Sequence, residues 1–191
     1  MADPHYTDSF SSLLNVFTAE EMDRIIAYGE RMGADKAGFR AGSGTSKSAD
    51  KIRITQHAWF RPAPDIQWLY LRMEQVARTL NERIYQFDLA GFSEPFQYTV
   101  YHGSEGGHYD WHVDQGRLQV QRKLSFSLQL SDPSEYEGGE LQLHAANDIS
   151  VAPKTRGAVV AFPAYTLHRV TPVTAGTRRS LVAWTAGPKF R

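Results

Sequence analysis

The sequence contains no cysteine among its 191 residues. Disulfide frameworks, thiolate zinc sites, iron–sulfur clusters and cysteine nucleophiles are therefore excluded, and any bound metal must use His, Asp or Glu. The chain also lacks an excess of charge of either sign, since 21 Lys and Arg balance 21 Asp and Glu. A protein whose main partner is nucleic acid usually carries a basic excess, so this balance argues against such a partner.

Long hydrophobic runs are also absent. The longest apolar runs have only about the length of residues 158–162, so no membrane span is expected. The N-terminal residues 1–10 are polar and contain no apolar signal core, so we expect the protein in the cytoplasm. Hydrophobic residues make up 41% of the chain, which is an ordinary share for a folded domain. We predict one domain over 1–191, with a helical support containing one or two strands over 1–92 and a β-rich core over 93–191.

Two helices are predicted in the N-terminal half. Residues 1–15 are expected to form a loose arm, and the capping box from Thr18 to Glu21 begins a helix over 18–32. Apolar residues at helical spacing predict a second helix over 65–85, after a strand over 51–61. The segment 33–49 is rich in glycine and serine, and we interpret it as a lid or as a surface loop.

From residue 95 onward the pattern changes to short strands separated by Gly, Pro, Asp and Asn. We predict strands over 96–101, 119–130, 140–144, 158–162, 168–171 and 180–185. Helices followed by strands in one short chain predict an α+β, mainly β, domain. Its core is expected to be a jelly roll that the N-terminal helices brace.

One constellation carries most of the chemical information. His112 and Asp114 are two positions apart, so in an extended chain both side chains point to the same face. Taken alone, this pair is better explained as a plain His–Asp hydrogen bond at the end of a strand. His168 lies at the start of a later strand, which a jelly roll can bring alongside. Two imidazoles and one carboxylate match the facial triad of non-haem Fe(II) oxygenases.

An arginine pair follows ten residues after His168. Arg178 and Arg179 are neighbours on a predicted strand and therefore face opposite ways. Arginine presents a rigid fork that pairs with carboxylates, so an inward arginine is explained if it receives a cosubstrate carboxylate. From the spacing we assign this role to Arg178 and place Arg179 on the surface.

The stretch from about Gln97 to Trp184 resembles the catalytic core of the 2-oxoglutarate and Fe(II)-dependent oxygenases, in particular the prolyl 4-hydroxylase-like branch. About half of the chain is covered. The resemblance is carried by these segments: Tyr101-His102-Gly103, Tyr109-Asp110-Trp111-His112-Val113-Asp114, Arg122-Lys123-Leu124-Ser125, Tyr136-Glu137-Gly138-Gly139-Glu140-Leu141, Gly157, Phe162-Pro163, His168-Arg169-Val170-Thr171-Pro172-Val173 and Gly176-Thr177-Arg178.

The resemblance implies a double-stranded β-helix in which His112, Asp114 and His168 hold Fe(II). It also implies that Arg178 binds the distal carboxylate of 2-oxoglutarate and that Tyr101 hydrogen-bonds this cosubstrate, although Tyr101 also fits an ordinary inward aromatic. On the strand over 124–131, one face is polar and includes Ser125 and Gln129. That face either lines the cosubstrate pocket or is solvated.

The implied activity is hydroxylation of an unactivated C–H bond with Fe(II), 2-oxoglutarate and O2, releasing succinate and CO2, with ascorbate as a supporting reductant. The expected substrate is a prolyl, peptidyl or amino-acid-like molecule. The alternatives are a tailoring oxygenase for a free amino acid or natural product, a non-catalytic jelly-roll binding module, and a nucleic-acid demethylase. The demethylase is disfavoured because Trp184 stands where that branch has a second arginine. The segment 33–49 is our candidate lid over the site, and the turn over 103–109 is a second candidate.

Overall fold

The computed structural model describes residues 3–33, 35–36, 52–115, 121–145 and 147–189. Helix α1 spans Ala19–Met32 and begins with the capping box that the sequence predicts. The Thr18 hydroxyl accepts a hydrogen bond from the Glu21 backbone N–H at 3.2 Å, and the Glu21 carboxylate accepts one from the Thr18 N–H at 2.9 Å. The helix predicted over 18–32 is therefore confirmed.

Helix α2 spans Gln67–Leu80. A 3₁₀ turn over Pro64–Ile66 leads into it, and a π-helical turn over Asn81–Tyr85 continues it. The predicted helix over 65–85 is thus present as three consecutive helical pieces. Its buried residues recur every three or four positions, which gives the apolar face that packs on the protein core.

Short strands make up most of the remaining described chain. In chain order they are β1 (His5–Tyr6), β2 (Ser11–Leu13), β3 (Asp35–Lys36), β4 (Arg53–Ile54), β5 (Gln56–Phe60), β6 (Gly91–Phe92), β7 (Phe96–His102), β8 (His108–His112), β9 (Arg122–Gln129), β10 (Tyr136–Gly138), β11 (Leu141–Ala145), β12 (Asp148–Val151), β13 (Val159–Pro163), β14 (Leu167–Val170) and β15 (Val173–Ala186).

The described strands form two antiparallel sheets. The larger sheet has the order β1-β2-β13-β9-β15-β7-β5-β3, and β10 and β6 also pair with β15. The smaller sheet has the order β12-β11-β14-β8-β4. Neighbours that are distant in the chain, such as β8 and β14, are characteristic of a jelly roll. The predicted fold class, a mainly β domain with a double-stranded β-helix core and N-terminal helices, is confirmed.

Two hydrophobic clusters fix how the layers pack. The first joins α1 and α2 to the outer face of the larger sheet, with ring contacts of 4.7 Å between Tyr28 and Phe60 and 4.0 Å between Tyr70 and Phe96. The second lies between the two sheets and includes Phe162 of the larger sheet. The helices therefore stiffen one sheet from outside and leave the space between the sheets for a site.

Two N-terminal predictions are wrong. The expected loose arm contains β2, which is buried and pairs with β13. The single strand predicted over 51–61 is two strands in different sheets, because β4 pairs with β8 and β5 pairs with β7. The chain changes sheets at Thr55, whose buried hydroxyl donates a 2.9 Å hydrogen bond to the Val100 carbonyl.

The later strands agree more closely with the predictions. Strand β15 begins at Val173 rather than near residue 180, because its N-terminal part pairs with β10. The short strands β6, β10 and β12 lie outside the predicted set, whereas β8 ends at His112, which the sequence places on a strand or at a strand end. Residues 119–120 of the strand predicted over 119–130 lie outside the described chain, and β9 begins at Arg122.

The two candidate lid segments are 33–49 and 103–109. Nearly all of 33–49 lies outside the described residues. The turn over 103–109 is bound to its neighbours, since Val173 donates a backbone hydrogen bond of 2.9 Å to Gly107, and β8 begins at His108. These contacts do not favour a lid there. Across the described residues, neither helix is long and apolar enough to cross a membrane.

Candidate active site

His112 and His168 lie side by side on neighbouring strands of the smaller sheet. They are directly paired in the register of β8 and β14, and their ring centroids are 4.1 Å apart. Asp114 lies just beyond the end of β8, where its backbone N–H donates to the Ala164 carbonyl at 2.9 Å. The sheet register and this turn contact bring together three side chains that are up to 56 positions apart in sequence.

The three side chains converge on one point. Their ligand atoms all lie within 4.8 Å of one another. Asp114 Oδ2 is 3.4 Å from His168 Nε2, and Asp114 Oδ1 is 3.8 Å from His112 Nε2. In the described part of the chain, this is the group of His, Asp and Glu residues close enough to share one metal ion.

Each imidazole is held by its Nδ1 atom, which leaves its Nε2 atom free to bind a metal. His112 Nδ1 is 2.7 Å from the Asp110 carbonyl, and His168 Nδ1 is 2.9 Å from the Thr166 carbonyl. A carbonyl oxygen only accepts hydrogen bonds, so Nδ1 must carry the proton in both rings. The lone pairs of both Nε2 atoms therefore point towards Asp114, as in metal sites where a backbone carbonyl fixes the tautomer.

The protonation states also suit a metal site. Burial, followed by the charge of His168, lowers the pKa of His112 to about 4, so this imidazole is neutral at neutral pH. Burial alone would raise the pKa of Asp114, but the neighbouring His168 and His112 outweigh it and hold the pKa below its usual value. The neutral His112 imidazole and the ionised Asp114 carboxylate are thus ready to coordinate a cation without first losing protons.

These residues fit a mononuclear Fe(II) centre. Two imidazole nitrogens and one carboxylate oxygen on one side leave positions open on the other side, which is the facial arrangement of non-haem iron oxygenases. The fit follows from the donor set and from the tautomers that the two backbone carbonyls fix. Since a carboxylate this deeply buried is costly without a cationic partner, a bound cation also accounts for the placement of Asp114.

Arg178 is buried in the same cavity without an acidic partner. Its side chain is only 1% exposed, and its guanidinium donates to the Gln129 amide oxygen at 2.8 Å and to the Ser180 hydroxyl at 3.3 Å. Its Nε–H has no hydrogen-bond partner, and none of the described carboxylates forms an ion pair with it. A buried cation held only by neutral groups is prepared to receive an anion.

Arg179 faces the opposite side of β15, as predicted from strand alternation. It pairs with Glu30 of α1 at 3.1 Å. Gly139 makes room for the inward arginine, because a Cβ at this position would lie 2.9 Å from Arg178 Cδ. The backbone at Gly139 also has a φ of 59°, which favours glycine. The glycine pair read as a hairpin turn from the sequence therefore also shapes the space around Arg178.

The polar face of β9 contacts residues of the cavity. Ser125 donates a 2.7 Å hydrogen bond to Asp114 Oδ2, and Gln129 holds Arg178. Between them, Ser127 accepts a hydrogen bond from the Gln129 amide at 3.1 Å. All three side chains are at most 6% exposed, so the solvated alternative for this face is wrong.

Tyr101 lies beside the arginine. It is 3% exposed, it is paired with Arg178 in the register of β7 and β15, and its ring centroid is 5.3 Å from the guanidinium carbon. It lines the cavity that also contains the His-Asp-His triad. The structure thus brings together all seven residues that the sequence singles out, and their roles as ligands stay predictions.

Several residues that line the cavity were not predicted as site residues from the sequence. Strand alternation from Tyr101 could have indicated Thr99 and Gln97, which lie on the same side of β7. Trp184 follows in the same way from Arg178 on β15. Arg53 of β4 lines the same cavity, and no local sequence pattern indicates this position. Its side chain becomes relevant only through the pairing of β4 with β8.

A His-Asp-His facial site between the sheets of a double-stranded β-helix defines the class of mononuclear non-haem iron oxygenases. Residues 96–186 match the family model of the 2OG-Fe(II) oxygenase superfamily. The β-rich core of this chain is therefore similar to the 2-oxoglutarate-dependent hydroxylases of this superfamily, in particular to the prolyl 4-hydroxylase-like branch. The resemblance identified in the sequence is thereby confirmed.

Individual relatives support this assignment. A PKHD-type hydroxylase of Prochlorococcus marinus is 42% identical over 82 residues, which span 42% of this chain and 37% of that protein. A PKHD-type hydroxylase of Pseudomonas aeruginosa is 29% identical over 180 residues, which span 89% of this chain and 75% of that protein. The match to the first relative thus spans little more than a third of its length.

Solved structures share the fold across almost the whole chain. A prolyl-4-hydroxylase of Pseudomonas putida superposes with a TM-score of 0.74 at 22% identity, covering 95% of this chain and 94% of that one. A Trichoplax adhaerens prolyl hydroxylase, solved in complex with a hypoxia inducible factor peptide fragment, gives 0.75 at 18% identity, covering 95% and 84%. The N-terminal half, which carries no motif in the sequence, is therefore part of the shared fold.

Proposed function

We propose that this protein is an Fe(II)- and 2-oxoglutarate-dependent dioxygenase that hydroxylates an unactivated C–H bond. The proposal rests on the observation that one cavity contains both parts of such a site. These are the triad of His112, Asp114 and His168, and the buried Arg178, which forms no ion pair with a described carboxylate. A metal site alone would fit many proteins. A metal site together with a receptor for a carboxylate fits a metal enzyme with an acidic cosubstrate.

His112, Asp114 and His168 are the residues that would hold the iron. When bound, Fe(II) activates O2 so that oxidative decarboxylation of 2-oxoglutarate to succinate and CO2 is coupled to insertion of one oxygen atom into a substrate C–H bond. The chain supplies orientation and exclusion of side reactions. The Asp110 and Thr166 carbonyls fix the two imidazoles, and Ser125 fixes the carboxylate, so the three ligands are in place before the metal arrives.

Arg178 would receive the distal carboxylate of 2-oxoglutarate. Its unpartnered Nε–H and its neutral partners Gln129 and Ser180 leave the positive charge available for that purpose. Tyr101 lies against the guanidinium and would border the same carboxylate. Because these side chains are buried, the ion pair would form in a low-dielectric environment, where it is stronger than at the surface.

The substrate we propose is prolyl, peptidyl or amino-acid-like. The curated relatives are PKHD-type hydroxylases, and one structural neighbour is a prolyl hydroxylase bound to a peptide fragment. A small-molecule tailoring oxygenase would use the same core residues. The two substrate classes must therefore be separated by experiment.

The test measures succinate formed from 2-oxoglutarate in the presence of Fe(II), O2 and ascorbate, after addition of host-cell lysate divided by ultrafiltration. We expect one fraction to stimulate succinate release and the Asp114→Ala variant to be inactive with it. Stimulation by the high-mass fraction identifies a protein substrate, and a search for single-oxygen mass additions locates the site. Stimulation by the low-mass fraction identifies a small molecule. No succinate above an enzyme-free control with any fraction would contradict the proposal and favour a non-catalytic binding module.

A further inference from the structure

A second arginine lines the cavity and has no role in the proposed function. Arg53 lies on β4 at the register position opposite Tyr109 of β8. Its guanidinium carbon is 4.6 Å from the centre of the Tyr109 ring, and that ring stacks on His112 at 3.5 Å. Arg53 is therefore separated from a triad imidazole by one aromatic ring.

Arg53 and Arg178 are held in the same manner. Each donates to the side-chain oxygen of a buried glutamine, at 3.1 Å for Arg53 and Gln97 and at 2.8 Å for Arg178 and Gln129. Each has a buried Nε–H without a hydrogen-bond partner. Within the described chain, Arg53 forms no ion pair with a carboxylate. Both arginines are thus oriented by neutral groups and keep their charge for a ligand.

The charges in the cavity indicate what that ligand is. The two charges of Fe(II) and the charge of Arg178 are offset by Asp114 and the two carboxylates of 2-oxoglutarate. Arg53 then remains as one positive charge without a counter-charge. Arg53 is half-buried, so its uncompensated charge is partly removed from water, and a single negative charge on the substrate would offset the resulting cost. This balance favours a carboxylate over a doubly charged phosphate.

We infer that Arg53 forms a second carboxylate-binding position in the cavity, which holds an acidic group of the substrate. The substrate class is then narrowed to amino-acid-like or peptidyl molecules with a free carboxylate near the hydroxylated carbon. The inference rests on the proposed function, since it assigns Arg178 to 2-oxoglutarate. The planar guanidinium on Tyr109 presents a fixed edge for a bidentate carboxylate, which orients the substrate as well as binding it.

Acetate is a suitable probe because it carries the proposed chemical group and nothing else. Zn(II)-substituted protein saturated with 2-oxoglutarate is diamagnetic and has Arg178 occupied. The buried Nε–H groups are protected from rapid solvent exchange, so ¹⁵N–¹H spectra can follow the arginine signals, assigned with the Arg53→Lys variant. We expect the Arg53 Nε–H signal to move saturably with acetate and not with acetamide, its neutral analogue.

Arg169 provides a matched control on the outer side of the smaller sheet. It also donates to a glutamine oxygen, that of Gln142 at 2.9 Å, and lies 4.6 Å from the centre of an aromatic ring, that of Trp111. It does not line the cavity. Its signal should stay unchanged with acetate, because general electrostatic attraction would move both arginines while a built site moves only one.

Three results would overturn the inference. They are an unmoved Arg53 signal, equal movement of the Arg53 and Arg169 signals, and tighter binding of inorganic phosphate than of acetate.

In the Arg53→Gln variant, acetate affinity should fall at least about tenfold while 2-oxoglutarate affinity stays within about twofold, because one charge-assisted pair is lost and the other is kept. Acetate binding requires no turnover. Succinate release with an unmoved Arg53 signal would therefore reject this inference alone, and acetate binding without succinate release would reject the proposed function alone.

Discussion

Ser125 donates a 2.7 Å hydrogen bond to Asp114 Oδ2, the carboxylate oxygen that lies 3.4 Å from His168 Nε2. The serine is fully buried on β9 of the larger sheet, while the ligand it contacts follows β8 of the smaller sheet. This single contact therefore connects the two layers at the metal site. It fixes the rotation of a carboxylate that would otherwise be free to turn away from the imidazoles.

Ser125→Ala should weaken metal binding without unfolding the protein. Loss of a hydrogen bond to a metal ligand typically lowers metal affinity by about 10–100-fold. Titration of Mn(II) by isothermal calorimetry measures this change. Ser127→Ala is the comparison, because Ser127 contacts Gln129 rather than Asp114, and it should instead raise the KM for 2-oxoglutarate. Equal metal affinity in wild type and Ser125→Ala would show that the hydrogen bond does not orient the ligand.

Asp114→Ala should abolish succinate release and reduce metal affinity by more than Ser125→Ala does. The substitution removes the only anionic ligand of the predicted triad, whereas Ser125→Ala only loosens it. Circular dichroism should show an intact fold, because the two sheets are held by their own hydrophobic cluster. Asp148→Ala, at an exposed position that starts β12, is the control and should leave both quantities unchanged. A fully active Asp114→Ala protein would contradict the triad assignment.

Arg178→Ala should raise the KM for 2-oxoglutarate by about 10–100-fold, because a hydrogen bond to a charged group contributes about 1.5–3 kcal/mol. Arg179→Ala is the matched neighbour. It loses a partly exposed ion pair with Glu30, which is worth at most about 1 kcal/mol of stability, and its KM should change little. Steady-state kinetics at saturating substrate and O2 measures both. The reverse order of effects would mean that the cosubstrate does not bind at the inward arginine.

The sequence was informative wherever a residue type and a local spacing are enough. The pair His112 and Asp114, the later His168 and the choice of Arg178 over Arg179 all follow from strand alternation and motif spacing. The capping box at Thr18 locates the start of α1 within one residue. These features are encoded by near neighbours in the chain, so a single sequence reveals them.

Features created by pairing between distant segments were missed. Ser11 belongs to a polar stretch that suggests a loose arm, yet it is fully buried because β2 pairs with β13 and its hydroxyl lies 2.9 Å from the Tyr85 hydroxyl. Arg53 likewise lies on a two-residue strand that pairs with β8. Neither position has a local pattern that distinguishes it from surface sequence. Long-range strand register is the missing information.

Gly29 provides a test of how α1 packs on the larger sheet. Alanine is favoured over glycine in a helix by about 1 kcal/mol, so Gly29→Ala would stabilise a freely exposed helix. In this fold a Cβ at Gly29 would lie 2.5 Å from the Tyr98 ring, which is buried in the sheet. Overpacking of this kind costs about 1–3 kcal/mol. We therefore expect Gly29→Ala to lower the melting temperature by a few degrees in differential scanning calorimetry.

A double-mutant cycle separates the ring contact from any other effect of the added methyl group. In a Tyr98→Ala background the ring is gone, so Gly29→Ala should become neutral or stabilising, and the two substitutions should be coupled by more than about 0.5 kcal/mol. Additive effects would mean that the helix does not rest on Tyr98. Because α1 covers the outer face of the sheet that carries Arg178 on its inner side, the same cycle also tests whether the helical layer lies where the cavity requires a rigid wall.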